Sequence, residues 1–174
     1  MARASTVAGP PASERRRQLP VTLGGIQHVG VPVRSLEQSL KFYRDAFGVE
    51  PEFIAKASGP GTSRLVGVPD VEMSFAFLDL GNTVLELLEY ESPRGQDYDR
   101  RNCDVGATHI ALAVADVEAA YEELRGKGIE FSGPPLHIDE GPLAGCITAY
   151  FRDPDGIQLE IFQVPWQIER GNVA

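Results

Sequence analysis

Two histidines occupy matching positions in two similar halves of the chain. His28 lies near the start of residues 26–35 and His109 near the start of residues 107–116, and apolar residues alternate after each of them. This alternation is typical of a β-strand with one buried face. Each histidine therefore shares the opposite face with small residues, which leaves space for a ligand beside the imidazole ring. For either residue alone, a hydrogen-bonded core histidine is the simpler interpretation.

Each half also ends in an apolar strand that contains one glutamate. These residues are Glu86 and Glu160. A carboxylate within a buried strand is costly unless it is paired or bound to a metal. Two imidazoles and two carboxylates suit a divalent metal ion such as Zn, Ni, Co, Mn or Fe(II), with positions open for water or substrate. The recurrence of both residue types predicts one metal site with the ligands His28, Glu86, His109 and Glu160.

The elements that must position these residues follow the same order in both halves. Ser35 and Asp116 are suitable N-caps, and apolar residues recur at helical spacing after each. The pattern predicts β-α-β-β-β twice. The predicted strands are 26–33, 49–55, 71–80 and 83–90 in the first half, and 109–114, 129–132, 146–152 and 157–163 in the second. Residues 58–63 and 133–145 are predicted to be loops from their glycine and proline content, and segments 57–69 and 133–145 are candidate mobile lids.

The domain organisation follows from this repeat. We expect a disordered leader at 1–22, a first module at 23–92, a linker at 93–105, a second module at 106–165 and a tail at 166–174. The leader has no apolar core like that of a signal peptide, so the cytoplasm is the expected location. The tail carries the only tryptophan, Trp166, and is apolar enough to pack on the body or on a second subunit.

Composition excludes several partners. The chain has 174 residues and a net charge of −9, and its one basic cluster is Arg15 to Arg17 in the leader. Binding to nucleic acid needs clustered basic residues, so no nucleic-acid partner is expected. No apolar run approaches the length of a membrane span, so no membrane partner is expected either. Cys103 and Cys146 lack metal-binding spacing and are predicted to be buried thiols in a reducing compartment.

The repeat resembles the vicinal oxygen chelate superfamily. The resemblance covers about residues 25–164 and rests on both histidines and both glutamates together with the Asp-Pro-Asp-Gly turn at 153–156. That superfamily includes glyoxalase I, methylmalonyl-CoA epimerase, extradiol dioxygenases and bleomycin-resistance proteins. The resemblance implies an α+β fold in which two βαβββ modules form one cupped, mostly antiparallel sheet with the helices outside. It also implies a metal held by the cup, a small-molecule substrate and a homodimer.

The resemblance further implies an isomerase or lyase that transfers a proton next to a metal-bound carbonyl or enediolate. Glu160 is the expected base by analogy with glyoxalase I, and Glu72 falls near the additional catalytic glutamate of the epimerases. The loop at 137–142 is acidic and would repel the carboxylate of glutathione. This difference from glyoxalase I slightly favours an epimerase.

Two other classes within the superfamily remain open. Tyr150 precedes Glu160 by ten residues, much as an active-site tyrosine precedes the glutamate ligand of extradiol Fe(II) dioxygenases. Glu86 would then fill a position that oxygen chemistry needs open, which disfavours this alternative, and Tyr150 could equally be a packed aromatic residue. A non-catalytic antibiotic-binding protein is the third alternative, although such relatives typically lack the metal ligands that this chain retains.

Overall fold

The computed structural model describes residues 23–165, which form two four-stranded sheets and three helices. The predicted leader and the predicted tail with Trp166 lie outside the described residues. The elements of the first module are β1 (His28–Val33), α1 (Leu36–Phe47), β2 (Pro51–Ser58), α2 (Gly59–Val66), β3 (Glu72–Asp79) and β4 (Val84–Ser92). Those of the second module are β5 (His109–Ala113), α3 (Val117–Gly126), β6 (Leu136–His137), β7 (Ile147–Arg152) and β8 (Gln158–Gln163).

Both sheets have the same strand order, which confirms the predicted repeat. The order is β1-β4-β3-β2 in the first sheet and β5-β8-β7-β6 in the second. β1 pairs with β4, and β5 with β8, in parallel, whereas the other pairings are antiparallel. The α+β class and the βαβββ modules are therefore as predicted. The strands form two sheets instead of the one continuous cupped sheet that was expected, and residues of β1 and β5 line a cavity of 770 Å³.

The helices begin and end at the residues that the sequence indicates. The Ser35 hydroxyl accepts a hydrogen bond from the Gln38 amide at the start of α1, and Gly48 ends this helix with a φ of 69°. The Asp116 carboxylate accepts from the Ala119 amide at the start of α3. These contacts satisfy backbone groups that have no partner within the helix.

Two elements differ from the sequence prediction. Residues 58–63 were expected to be a loop, but Gly59–Val66 is a helix with Pro60 in its first turn and no buried residue. The short strand expected at 129–132 contributes a single bridge, from Phe131 to Phe151, and the fourth strand of the second sheet is Leu136–His137 instead. Each candidate lid, 57–69 and 133–145, therefore contains regular structure.

One hydrophobic core joins the two modules. Val31 and Leu87 of the first module and Phe151 and Ile161 of the second belong to the same buried cluster. The ring of Phe47 at the end of α1 lies 6.2 Å from the ring of Phe151. The core covers one face of each sheet. The other face of each sheet is the one on which Glu86 and Glu160 lie.

The two cysteines differ in exposure. Cys146 is buried, as predicted, but Cys103 is exposed, so the expectation that both thiols are buried is wrong for Cys103. Cys103 lies in the polar linker, where no apolar strand or helix face covers it.

Among the residues that the structure describes, no helix is long and apolar enough to cross a membrane.

Candidate metal centre

The first histidine and the first glutamate are neighbours on the open face of the first sheet. His28 Nε2 lies 3.2 Å from Glu86 Oε2, with 42% and 15% of the two side chains exposed. The other ring nitrogen, Nδ1, is hydrogen-bonded to the side-chain oxygen of Gln27. The Phe77 ring lies 5.7 Å from the imidazole, and Phe77 is the residue on β3 opposite Glu86. The pair is thus open to solvent on one side and faces an aromatic ring on the other.

The second histidine and glutamate form an equivalent pair on the open face of the second sheet. His109 Nε2 lies 3.3 Å from Glu160 Oε2, with 48% and 6% of the two side chains exposed. The Thr148 hydroxyl donates a hydrogen bond to Glu160 Oε1. The Tyr150 hydroxyl lies 3.3 Å from His109 Nε2. Four side chains therefore form one connected polar cluster on this face.

Tyr150 carries a proton throughout the neutral pH range. Burial, hydrogen bonding to Glu160 and the negative charge of that carboxylate raise the pKa of Tyr150 to about 12. A neutral phenol is both a donor and an acceptor, so it is able to bond to a carboxylate or an imidazole. The position of Tyr150 at the His109–Glu160 pair, and not only against apolar side chains, favours a role at this site.

The two pairs are related by the register of the sheets. Gly30 on β1 and Phe77 on β3 are the partners of Glu86 on β4. Ala111 on β5 and Tyr150 on β7 are the partners of Glu160 on β8. The repeat predicted from the sequence therefore holds at the level of individual residues.

The structure does not bring all four predicted ligands together in one chain. Among residues 23–165, no group of three or more His, Cys, Asp or Glu side chains is placed to hold a metal ion. Imidazole nitrogen and carboxylate oxygen are nevertheless suitable donors for a divalent ion of borderline softness. Each pair, His28–Glu86 and His109–Glu160, thus fits half of a metal site in donor chemistry, and the four-ligand centre remains a prediction.

The third candidate acid–base residue, Glu72, lies away from the first pair. Glu72 is exposed at the start of β3, opposite Ser92 of β4. The partner of Glu86 on the same strand is Phe77, and at about 3.3 Å per residue the two positions are separated by roughly 17 Å. The structure offers no contact between Glu72 and either pair, and its catalytic role remains a prediction.

Thr148 is a site residue that the sequence did not predict. This residue is buried, and its hydroxyl bonds to the carboxylate of Glu160. Thr148 is two positions before Tyr150 and therefore lies on the same face of β7. The sequence contained one indication of this role: Thr148 is a polar residue in a mostly apolar strand, two positions before Tyr150.

A cavity lined by both modules reaches His109 of the second pair, whereas His28, Glu86 and Glu160 are not part of its lining. Its volume is 770 Å³, and it is lined by residues of β1, β5 and the linker segment 96–100, with His109 among them. Pockets of this size accommodate small organic ligands. A substrate in this cavity would lie beside the exposed imidazole of His109.

Comparison with known proteins agrees with this fold. Residues 25–161 match the family described as the Glyoxalase/Bleomycin resistance protein/Dioxygenase superfamily. The chain is 37% identical over 145 residues to a 2-epi-5-epi-valiolone epimerase of an Actinomyces species, with 80% of this chain and 79% of that protein covered. It is 33% identical over 125 residues to the mitochondrial methylmalonyl-CoA epimerase of Mus musculus, with 68% of this chain and 62% of that protein covered.

Solved structures show the same fold. A glyoxalase family protein from Bacillus cereus matches with a TM-score of 0.68 at 20% identity and covers 85% of this chain and 99% of that protein. The Leishmania major glyoxalase I matches with a TM-score of 0.56 at 24% identity and covers 80% of this chain and 86% of that protein. The chain has the two-module vicinal oxygen chelate fold. It belongs to the glyoxalase, bleomycin resistance and dioxygenase superfamily, as the sequence predicts. Its named relatives include epimerases and lactoylglutathione lyases, which are enzymes.

Proposed function

We propose that this chain is a divalent-metal-dependent isomerase or lyase that moves a proton on a carbon next to a carbonyl, and that it is of the epimerase type. The observation that carries the proposal is the pair of equivalent His–Glu contacts at 3.2 and 3.3 Å on the open faces of the two sheets. Two epimerases among the relatives, at 37% and 33% identity, support the epimerase type.

In this proposal the metal is Zn, Ni, Co, Mn or Fe(II), and its ligands are His28, Glu86, His109 and Glu160. A divalent ion held there would polarise the substrate carbonyl and make the adjacent C–H bond more acidic. Glu160 would accept the proton from carbon, by analogy with glyoxalase I, through Oε2, which faces His109 and is not the oxygen that is hydrogen-bonded to Thr148. Epimerisation also requires an acid on the other face of the carbon. Glu72 is the residue that the sequence predicts for this role, but its position on β3 is roughly 17 Å from that of Phe77 opposite Glu86, so the role requires it to be brought closer to the substrate.

The same proposal includes a homodimer. Each chain contributes two separated donor pairs, and a four-ligand site forms if the first pair of one chain meets the second pair of another. Most homodimers have twofold symmetry, so such an arrangement would create two identical sites. The expected partners are a small-molecule substrate and a second copy of the chain, and neither a membrane nor nucleic acid. The cytoplasmic location also remains a prediction.

The metal assignment is tested with His109→Ala and a matched control. The chain has three histidines, and the third, His137, contacts Glu118 at 2.8 Å on the outside of the second module. We expect His109→Ala to lose bound metal while His137→Ala retains it, both with unchanged circular dichroism. Metal content is measured on protein purified without chelators. Equal metal content in the two variants would exclude His109 as a ligand.

The reaction class is tested by solvent-deuterium exchange with the metal-loaded protein. The substrates to compare are 2-epi-5-epi-valiolone, α-proton-bearing thioesters such as methylmalonyl-CoA, and hemithioacetals of glutathione. We expect exchange at the carbon next to the carbonyl with at least one of them, and loss of exchange in Glu160→Gln. No exchange with any of them, together with oxygen uptake on a catechol, would indicate the dioxygenase alternative.

The binding-protein alternative predicts a different metal content. Less than about a tenth of an equivalent of transition metal in the purified chain would favour an antibiotic-binding protein, because a preorganised site retains its ion at neutral pH. A content near one equivalent per chain, lost on chelation and regained on addition of metal, is the result that the enzyme proposal requires.

A further inference from the structure

The two His–Glu pairs differ in what surrounds their carboxylates. On β7, Thr148 and Tyr150 present hydroxyl groups to Glu160 and His109. By register, the equivalent residues on β3 are Phe75 and Phe77. Phenyl rings have no O–H donor, so the module with Glu86 lacks the hydroxyl contacts that the module with Glu160 possesses. The sequence repeat conceals this difference, because both modules share the same histidine and glutamate positions.

Each oxygen of Glu160 has a polar neighbour. Oε1 accepts from Thr148, and Oε2 faces His109 at 3.3 Å. Only 6% of this side chain is exposed, so no solvent route competes with these partners. A buried carboxylate with a donor on each side has one favourable orientation. Glu160 is therefore held before any ligand arrives.

Tyr150 contacts the histidine of the same pair, at the ring nitrogen that also faces Glu160. Its hydroxyl lies 3.3 Å from His109 Nε2, and its ring contacts the imidazole edge-on with 5.3 Å between ring centres. His28 has the Phe77 ring at 5.7 Å and no hydroxyl at its Nε2 atom, but its Nδ1 atom is hydrogen-bonded to Gln27. The difference between the modules therefore concerns the two carboxylates. Groups that hydrogen-bond to metal ligands fix their orientation and strengthen metal binding.

We propose that Thr148 and Tyr150 are positioning residues of the His109–Glu160 pair, so that the carboxylate of the second module, Glu160, is preorganised and that of the first module, Glu86, is adaptable. This inference rests on the proposed function, in which a divalent ion binds at the His–Glu pairs. Valine has nearly the same shape as threonine and would pack equally well on β7. The hydroxyl of Thr148 therefore has a role beyond packing.

The test replaces the hydroxyl of Thr148 without changing its volume. Thr148→Val removes the donor, Thr148→Ser retains it, and Thr62→Val is the control, because the Thr62 hydroxyl bonds only to the Ser58 carbonyl in the exposed helix α2. The measurement is Co(II) affinity of the full chain by visible absorption, with circular dichroism to confirm the fold. We expect Thr148→Val to weaken Co(II) binding by about tenfold, the range typical of residues that orient metal ligands. Thr148→Ser and Thr62→Val should remain close to the unmodified chain.

A second comparison addresses Tyr150 independently. Tyr150→Phe gives the second module the residue that the first has at this position, and Tyr121→Phe on α3 is the control. We expect weaker Co(II) binding for Tyr150→Phe alone.

Three outcomes would overturn the inference. If Thr148→Val and Tyr150→Phe both bind Co(II) as tightly as the unmodified chain, the hydroxyls have no positioning role, although the metal site itself stands. Weakening in Thr148→Ser equal to that in Thr148→Val would show that the lost methyl group, and not the hydroxyl, matters. If the unmodified chain binds no Co(II), the proposed function fails, and this inference fails with it.

Discussion

At the scale of single residues, the structure buries a second carboxylate, besides Glu160, that does not belong to either His–Glu pair. Asp153, in the turn between β7 and β8, is only 5% exposed. Its Oδ1 atom accepts hydrogen bonds from the amides of Asp155 and Ile157, and Oδ2 is buried without a partner among the described residues. Burial is the largest cause that raises the pKa of Asp153 to about 6. Asp153 therefore stabilises the turn through one oxygen while its charge destabilises the fold.

This raised pKa makes a prediction about pH and stability. Because the pKa is higher in the folded than in the unfolded chain, the stabilisation by the bound proton is complete below the unfolded value of 3.8 and is lost as the pH rises through about 6. Asp153→Asn keeps an oxygen for the two amides and removes the charge. We expect the variant to be more stable than the unmodified chain at pH 8 by on the order of 2 kcal/mol, with the difference disappearing near pH 4.

The measurement is urea unfolding at both pH values. Asp139→Asn, in an exposed loop, is the control and should show no such dependence. An Asp153→Asn variant that is less stable than the unmodified chain at pH 8 would show that the carboxylate charge is stabilised by its surroundings.

At the scale of elements, residues that cap helices and turns were predictable, because their action is local. Ser35 and Asp116 begin α1 and α3, and Gly48 ends α1, as the sequence indicates. The missed helix α2 begins with Gly-Pro-Gly and buries no residue, so neither composition nor an amphipathic pattern revealed it. The two-residue strand Leu136–His137 is too short and too exposed to show alternation. The helix α2 lies against β2, and β6 pairs with β7; the sequence shows neither of these contacts.

Two glycines of these helices give opposite predictions for the same substitution. Gly48 has a φ of 69°, which is unfavourable for a residue with a Cβ, whereas Gly126 is the last residue of α3 and lacks a positive φ. An added Cβ would meet nothing within 4 Å at either position. We expect Gly48→Ala to lower the free energy of unfolding by about 1 kcal/mol and Gly126→Ala to leave it unchanged or raise it by up to about 0.5 kcal/mol.

Urea unfolding of the two variants side by side provides the test. A similar loss in both would mean that the backbone conformation of Gly48 is not the source of its effect.

At the scale of the whole molecule, the decisive feature is the separation of the two donor pairs. One core holds the modules together, yet within residues 23–165 no three potential ligands meet. In the proposed homodimer, each metal site takes the first pair from one chain and the second pair from the other. A site of this kind is sensitive to which chain carries a substitution.

This arrangement predicts complementation between two inactive variants. His28→Ala damages the first pair and His109→Ala the second, so each homodimer has two damaged sites. A mixed dimer has one site with both substitutions and one with none. After subunit exchange of equal amounts, half of the dimers are mixed, and we expect about a quarter of the metal content of the unmodified dimer to return.

Metal content and deuterium exchange of the mixture, compared with each variant alone, provide the measurement. The control is a mixture of His28→Ala with Glu86→Gln, which damage the same pair and leave every site with a substituted residue. Equal values for the two mixtures would show that each site forms within one chain.

The sequence by itself determined the repeat, the fold class, the superfamily and the candidate ligands His28, Glu86, His109 and Glu160. It was able to do so because strand alternation, capping residues and a polar residue in an apolar strand are local patterns. Only the tertiary structure decided which side chains meet. The contacts of Thr148 and Tyr150 with the second pair, and the separation of that pair from the first, arise from strand register and from the packing of two modules on one core. Neither register nor packing can be read from spacing along the chain, because both depend on contacts between distant residues.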